Sequence, residues 1–203
     1  AANDLQRELI FPRLFREARS EGIRLKLRFM PSGIPSVSML RDARCQLVLT
    51  PFPPDAPDIF QRRLFWGEMM CFYDGAVRDA PKTWEEYLAS EHVSVRFTGG
   101  HDSIEVLRGV DISAIPEPTV WVSNFNAISS FVIGSDLITT EMSVMRLGPL
   151  KDLSAAPLPF KSETVTMYMV WHERSNNDPA HNWLRRRIEK IADDVSKKLR
   201  RIL

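Results

Sequence analysis

Val165-Thr-Met-Tyr-Met-Val-Trp-His-Glu-Arg174, followed by Asp178-Pro-Ala-His-Asn-Trp-Leu-Arg185, is a strand that stops and a helix that starts. Val165, Met167, Met169 and Trp171 alternate with Thr166, Tyr168, Val170 and His172, so one face is strictly apolar and the other mixed. Asp178 is placed to accept backbone N–H bonds as an N-cap. Pro179 falls on the first helical position, where its missing N–H costs nothing. Trp183, Leu184, Arg187, Ile188 and Ile191 continue at helical spacing.

Upstream, Asn3 or Asp4 can cap a first helix carrying Leu5, Leu9, Ile10, Leu14 and Phe15, ended near Gly22. Ile23 to Phe29 alternates like a half-buried strand. A short helix is expected around Ser36 to Arg41. Cys45 to Leu49 reads as a buried strand stopped by Thr50-Pro51-Phe52-Pro53-Pro54. Phe60–Trp66 and Met69–Tyr73 read as a strand pair with Gly67 between them. Thr83 caps a helix bearing Trp84, Tyr87 and Leu88, and Val93 to Phe97 is a strand closed by a Gly99-Gly100 turn. Ile104 to Leu107 is a further regular piece. Thr119–Val122 is a strand, Ser123-Asn124 opens a helix through Ile133, and Leu137–Thr140 is a short strand. Alternation of strands and helices predicts an α/β fold with parallel sheets.

The terminal segment, Trp-His-x-Arg then Asp-Pro-Ala-His-x-Trp-Leu-Arg and a long helix, resembles the end of the effector-binding domain of LysR-type transcriptional regulators. The looser remainder follows the same order. The resemblance implies two Rossmann-like lobes joined by crossover strands, a type 2 periplasmic-binding-protein-like fold. Lobe I would comprise residues 1–68 and 162–203 and lobe II residues 69–161, with crossovers near Gly67–Tyr73 and Leu158–Ser162. The chain departs from the family pattern in its short segment between Met30 and Cys45, and in Thr50-Pro51-Phe52 where a small-residue ending is usual.

Composition constrains the function. The 27 basic and 26 acidic residues nearly cancel, whereas a nucleic-acid-binding domain shows a basic excess or stripe. Basic residues concentrate at the end, from Arg185 to Arg201, interrupted by Glu189, Asp193 and Asp194; this reads as the solvated side of an amphipathic helix. Cys45 and Cys71 lie in apolar runs and read as buried thiols of a cytoplasmic protein. No apolar run reaches the length of a membrane span, and no metal spacing is present, so neither membrane nor cofactor is expected. The family's N-terminal winged helix-turn-helix is absent from a chain that begins Ala1-Ala2-Asn3-Asp4, so DNA contact is expected only through a preceding segment.

His92, His101, His172 and His181 sit in no nucleophile elbow, zincin motif or phosphate loop, so no catalytic residue is expected. In open α/β folds ligands lie at the carboxyl ends of strands, near helix N-termini. The loops there carry Asn3, Asp4, Ser32, Thr50, Pro51, Phe52, Ser94, Arg96, Phe97, Asn124, Phe125, Asn126 and Thr140. Each has an ordinary structural role available as cap, turn or core residue. The resemblance implies that together they line an inter-lobe effector cleft. Arg96 is the sharpest candidate, since a guanidinium's paired N–H donors favour a carboxylate.

The expected function is therefore sensing of a small organic effector, aromatic or carboxylate-bearing, by a cytoplasmic bacterial regulator. The resemblance also implies a homodimer or homotetramer, using the helix around Leu5–Arg16 and the Ser123–Ile133 region. A solute-binding protein of a transport system is the alternative with the same lobes. A transferase or isomerase would need a convergent acid/base set, which the sequence does not show.

Overall fold

The computed structural model describes residues 1–30 and 34–202, and the chain divides into two units. The first comprises Ala1–Trp66 with Thr166–Leu203, the second Gly67–Val165.

The first unit is built around β8 (Val165–His172), the middle strand of a sheet ordered β1-β8-β2, with β1 at Val48–Thr50 and β2 at Ile59–Gly67. Val165, Met167, Met169 and Trp171 are buried, as their alternation requires. Gln6 of α1 (Asp4–Leu9) donates to Met167 Sδ at 3.3 Å, which places α1 on that face. Val170 on the opposite face packs with Val48, Cys45 and Leu40, the last from α3 (Val37–Arg41), capped by Ser36. β1 pairs with β8 antiparallel, Leu49 opposite Met169. Ala1 pairs with Leu47 and Leu49 in the pattern of a parallel ladder.

The terminal motif is a latch. Asp178 caps α6 (Pro179–Leu199), accepting from His181 N at 2.7 Å, with Pro179 in the first turn. Ile188, Ile191, Ala192, Val195 and Leu199 bury one face of α6. Arg185, expected on the solvent side, is instead only 6 % exposed. Its guanidinium donates to Ser175 O (3.0 Å), Asn176 O (2.8 Å), Asn182 Oδ1 and His181 Nδ1 (2.6 Å), and lies 4.5 Å from the Trp171 ring centroid. His181 Nε2 donates to Gln46 O at 3.1 Å, so Nδ1 is free to accept from Arg185. Burial lowers both pKa values, holding the imidazole neutral. His172 donates to Asp58, Asp58 is bidentate with Arg41, and Arg174 donates to the Leu40 and Arg41 carbonyls at the end of α3.

Three expectations change. The expected first helix is two, α1 and α2 (Phe11–Ser20), because Pro12 has no N–H to continue α1 past Ile10. Ile23–Phe29 forms no strand: Leu25 and Leu27 are half-buried, but no ladder partner lies alongside among the described residues. β2 and β3 (Met69–Tyr73) are not a pair. Only Glu68 separates them, too short for a hairpin, and β3 enters a second sheet.

In the second unit β3 lies between β6 (Ile138–Met142) and β7 (Ser154–Pro157), antiparallel to both. A parallel bridge, His92 to Ile138, sets β4 (Val93–Val95) beside β6, and β5 (Val120–Val122) runs parallel to β4. The described pairings are mixed, antiparallel for β1–β8, β3–β6 and β3–β7 and parallel for β4–β5, rather than parallel throughout as expected, because alternation along a strand carries no information about its direction. Helix α4 (Trp84–Ala89), capped by Thr83, packs Tyr87 against Cys71 and Ile138. A short helix α5 (Ser129–Val132) follows a 3-10 turn at Phe125–Ala127 and ends before Gly134, whose φ is 78°. Cys45 and Cys71 are free and buried, and burial pushes the Cys71 thiol up to about 12.

Candidate functional site

The candidate residues of the first unit are largely occupied with local structure. Asn3 is the N-cap of α1, in a reciprocal capping box with Gln6. Asp4 is the first residue of that helix. Thr50 is buried and its hydroxyl accepts from Phe52 N at 3.0 Å, folding Thr50-Pro51-Phe52 into a turn after β1. Ala1 pairs with Leu49, so Asn3 and Thr50 leave the same end of this parallel pairing. Ser32 lies outside the described residues.

The second unit holds a cavity of about 460 Å³ that brings together Ser94, Arg96 and Thr140. It lies on the face of the sheet that carries His92, Ser94 and Arg96 at alternate positions, with Trp121 opposite Ser94 on β5. Its other walls are Ile104, Glu105 and the segment Ile112–Pro118. Apolar Ile104, Ile112, Ile115, Pro116 and Pro118 supply much of this lining.

Arg96 is held in place by a turn. Gly99 and Gly100 both have positive φ, 103° and 82°, which side-chain-bearing residues rarely adopt. That turn folds the chain back so that Phe97 N meets His101 O at 2.7 Å and Asp102 bridges to Arg96. The guanidinium is bidentate on Asp102 (2.8 and 3.2 Å), and its carbon lies 3.7 Å from the Trp121 ring centroid. The Asp102 carboxylate raises the Arg96 pKa, with a smaller contribution from Glu117. The fork expected to stay open for an effector carboxylate is therefore spent on Asp102.

The floor is polar and buried. Thr140 shares a 2.7 Å hydrogen bond with the Tyr87 hydroxyl, and burial raises the Tyr87 pKa. Ser94 lies 3.3 Å from Ser103, which donates to the buried Glu141 at 2.7 Å. His92 Nε2 donates to Tyr87 O at 3.0 Å, and burial lowers its pKa, so the ring is neutral.

Phe97 and Phe125 meet edge to face at 5.6 Å, and Phe125 is 4 % exposed, so it serves as core. Asn124 caps the 3-10 turn, accepting from Ala127 N, while Asn126 is exposed. Sequence reasoning missed His92, Trp121, Glu105 and the Ile112–Pro118 wall. The two-residue period through Ser94 and Arg96 pointed to His92, whereas the wall comes from irregular chain with no periodicity to read. Among the described residues no cluster of His, Cys, Asp or Glu could hold a metal ion, and no described helix is long and apolar enough to cross a membrane.

Solved structures share this fold. The regulatory domain of MexT from Pseudomonas aeruginosa aligns with a TM-score of 0.71 at 20 % identity, covering 94 % of this chain and 96 % of that one. A putative transcriptional regulator from Vibrio parahaemolyticus gives 0.77 at 19 % identity, covering 100 % and 95 %. The mixed α/β architecture is thus the type 2 periplasmic-binding-protein-like fold of LysR regulatory domains. Among curated proteins, the HTH-type transcriptional regulator LinR of Sphingobium indicum is 26 % identical over 197 residues, 94 % of this chain and 65 % of LinR. The HTH-type transcriptional activator NagR of a Ralstonia species is 28 % identical over 145 residues, 68 % of this chain and 48 % of NagR. The chain thus spans about two thirds and one half of these relatives. They are transcriptional regulators, which favours neither the transport alternative nor an enzyme. The LysR substrate binding domain model matches residues 3–192, and the chain belongs to that family.

Proposed function

We propose that this chain is the effector-sensing and oligomerising part of a LysR-type transcriptional regulator, acting in the cytoplasm. The whole protein would bind DNA through an N-terminal winged helix-turn-helix. The match over residues 3–192 carries this reading. The domain works by binding rather than catalysis. A small organic molecule that prefers one conformation of the domain shifts its population, and so the activity of the attached DNA-binding part. Ser94, Arg96 and Thr140 are the candidate effector positions supported by a shared cavity, whose volume suits a small-molecule ligand.

The test is a thermal-shift screen of the 203-residue chain against small organic acids, amines and neutral compounds. A ligand at about 100 times its Kd adds roughly 2.7 kcal/mol, a rise of several degrees for a domain of this size. Ser113→Trp, which sets an indole at the cavity from an exposed position, should abolish the shift. A library with no stabilising member overturns the sensing reading. A stabilising molecule indifferent to Ser113→Trp moves the site elsewhere.

A further inference from the structure

The charges lining the cavity of the second unit are already spent or open to water. The Arg96 guanidinium is bidentate on Asp102 and stacked on Trp121. Glu105 is engaged at both oxygens: Oε1 accepts from Asp102 N at 3.0 Å, and Oε2 lies 3.1 Å from His101 Nδ1. Glu117 is exposed between Pro116 and Pro118. An organic acid or an amine entering here would give up its hydration without gaining a free counter-charge.

The polar part of the lining that remains is a pair of hydroxyls. Beyond the parallel bridge of His92 with Ile138, Ser94 and Thr140 follow two residues on along the neighbouring strands, and both line the cavity. A hydroxyl carries one proton and two lone pairs. Thr140 and Tyr87 share one hydrogen bond, and neither hydroxyl makes another among the described residues, so one of their two protons is left over. Tyr87 is fully buried and Thr140 reaches the cavity. With Tyr87 as donor, the spare proton is that of Thr140, at the cavity, where a ligand can satisfy it. Ser94 presents the opposite capacity. Ser103 gives its proton to Glu141, so Ser94 is the donor in the 3.3 Å contact with Ser103, and the Ser94 lone pairs stay open. A donor and an acceptor on adjacent strands match one ligand hydroxyl, which accepts from Thr140 and donates to Ser94. Ile104, Ile112 and Ile115 offer an apolar wall to the rest of such a molecule.

We infer that the cavity takes a small neutral phenol or alcohol with an apolar body, its hydroxyl seated between Ser94 and Thr140, and neither an organic acid nor an amine. This rests on the sensing reading above and specifies its ligand class. The Arg96–Asp102 pair stays closed as part of the wall.

Four probes on one ring separate the classes: p-cresol, p-xylene, 4-methylbenzoate and 4-methylbenzylamine. Each is titrated into the 203-residue protein and followed by ¹H–¹⁵N correlation spectra, including the Trp121 indole and the Ser94 and Ile115 amides. p-Cresol should bind about tenfold more tightly than either ion and several-fold more tightly than p-xylene, which lacks the hydroxyl. Thr140→Val and Ser94→Ala should each weaken p-cresol several-fold and leave p-xylene unchanged. Should Thr140→Val lose the dispersed spectrum of the folded chain, Ser94→Ala decides. Asp102→Asn, which releases the Arg96 fork, should strengthen 4-methylbenzoate several-fold. Tighter binding of either ion, p-cresol binding no stronger than p-xylene or indifferent to Ser94→Ala, or no response to any probe at cavity residues overturns the assignment. If another library member still stabilises the domain and is blocked by Ser113→Trp, sensing stands and only the ligand class falls.

Discussion

At the scale of single residues, the densest stretch of the sequence is structural. Arg185 is buried with no carboxylate partner among the described residues, and its charge is dispersed over two carbonyls, an amide oxygen and a neutral imidazole. Removing it strands those acceptors. Arg185→Met should therefore cost about 3 kcal/mol, measured as a shift in the urea midpoint by circular dichroism. Arg185→Lys should not restore it, because an ammonium cannot present the same planar fork. An Arg185→Met protein as stable as the parent would show that the latch is incidental. Residue identity made this segment legible as strand, cap and helix. The inward turn of Arg185 was not legible, since a basic residue in a basic helix normally faces water. Arg96 was legible as a residue at the end of a strand. Its pairing with Asp102 depends on the Gly99-Gly100 turn, whose partner across the turn the spacing alone does not fix.

At the scale of elements, strong periodicity with well-defined ends read correctly: β8, α6, α4 behind Thr83 and α3 behind Ser36. Ile23–Phe29 has equally regular alternation yet no ladder, because a period of two records which side chains are apolar and not whether a neighbouring strand is present. Two adjacent features make a sharp test here. A Cβ added at Gly67 would come within 2.9 Å of Ser143 Oγ, a buried hydroxyl with no hydrogen-bond partner among the described residues. Gly67→Ala should cost about 1–3 kcal/mol as overpacking. Ser143→Ala alone should be neutral or stabilising, since it removes an unsatisfied polar group. In the double variant most of the Gly67→Ala loss should be recovered, a coupling read from a denaturation cycle. Additive losses would mean that something other than the hydroxyl excludes a side chain at Gly67.

For the whole molecule, each unit carries one buried histidine whose pKa burial lowers: His181 in the first, His92 in the second. Below the ordinary value of 6.5 the unfolded chain takes up protons that the folded imidazoles resist. Stability from this source is complete above that pH and is lost as pH falls toward the lowered folded values. Urea midpoints measured from pH 7.5 down to 5 should fall, and His92→Gln with His181→Gln should flatten the profile. A profile that is flat in the parent would exclude the linkage. The closure of Arg96 over Trp121 has an optical consequence. A fixed positive charge 3.7 Å from the indole centroid polarises its excited state. The emission wavelength of this one tryptophan therefore reports whether the guanidinium stays in place, and the cavity carries its own dye. Asp102→Asn, which loosens the charge, should shift that emission in the empty protein.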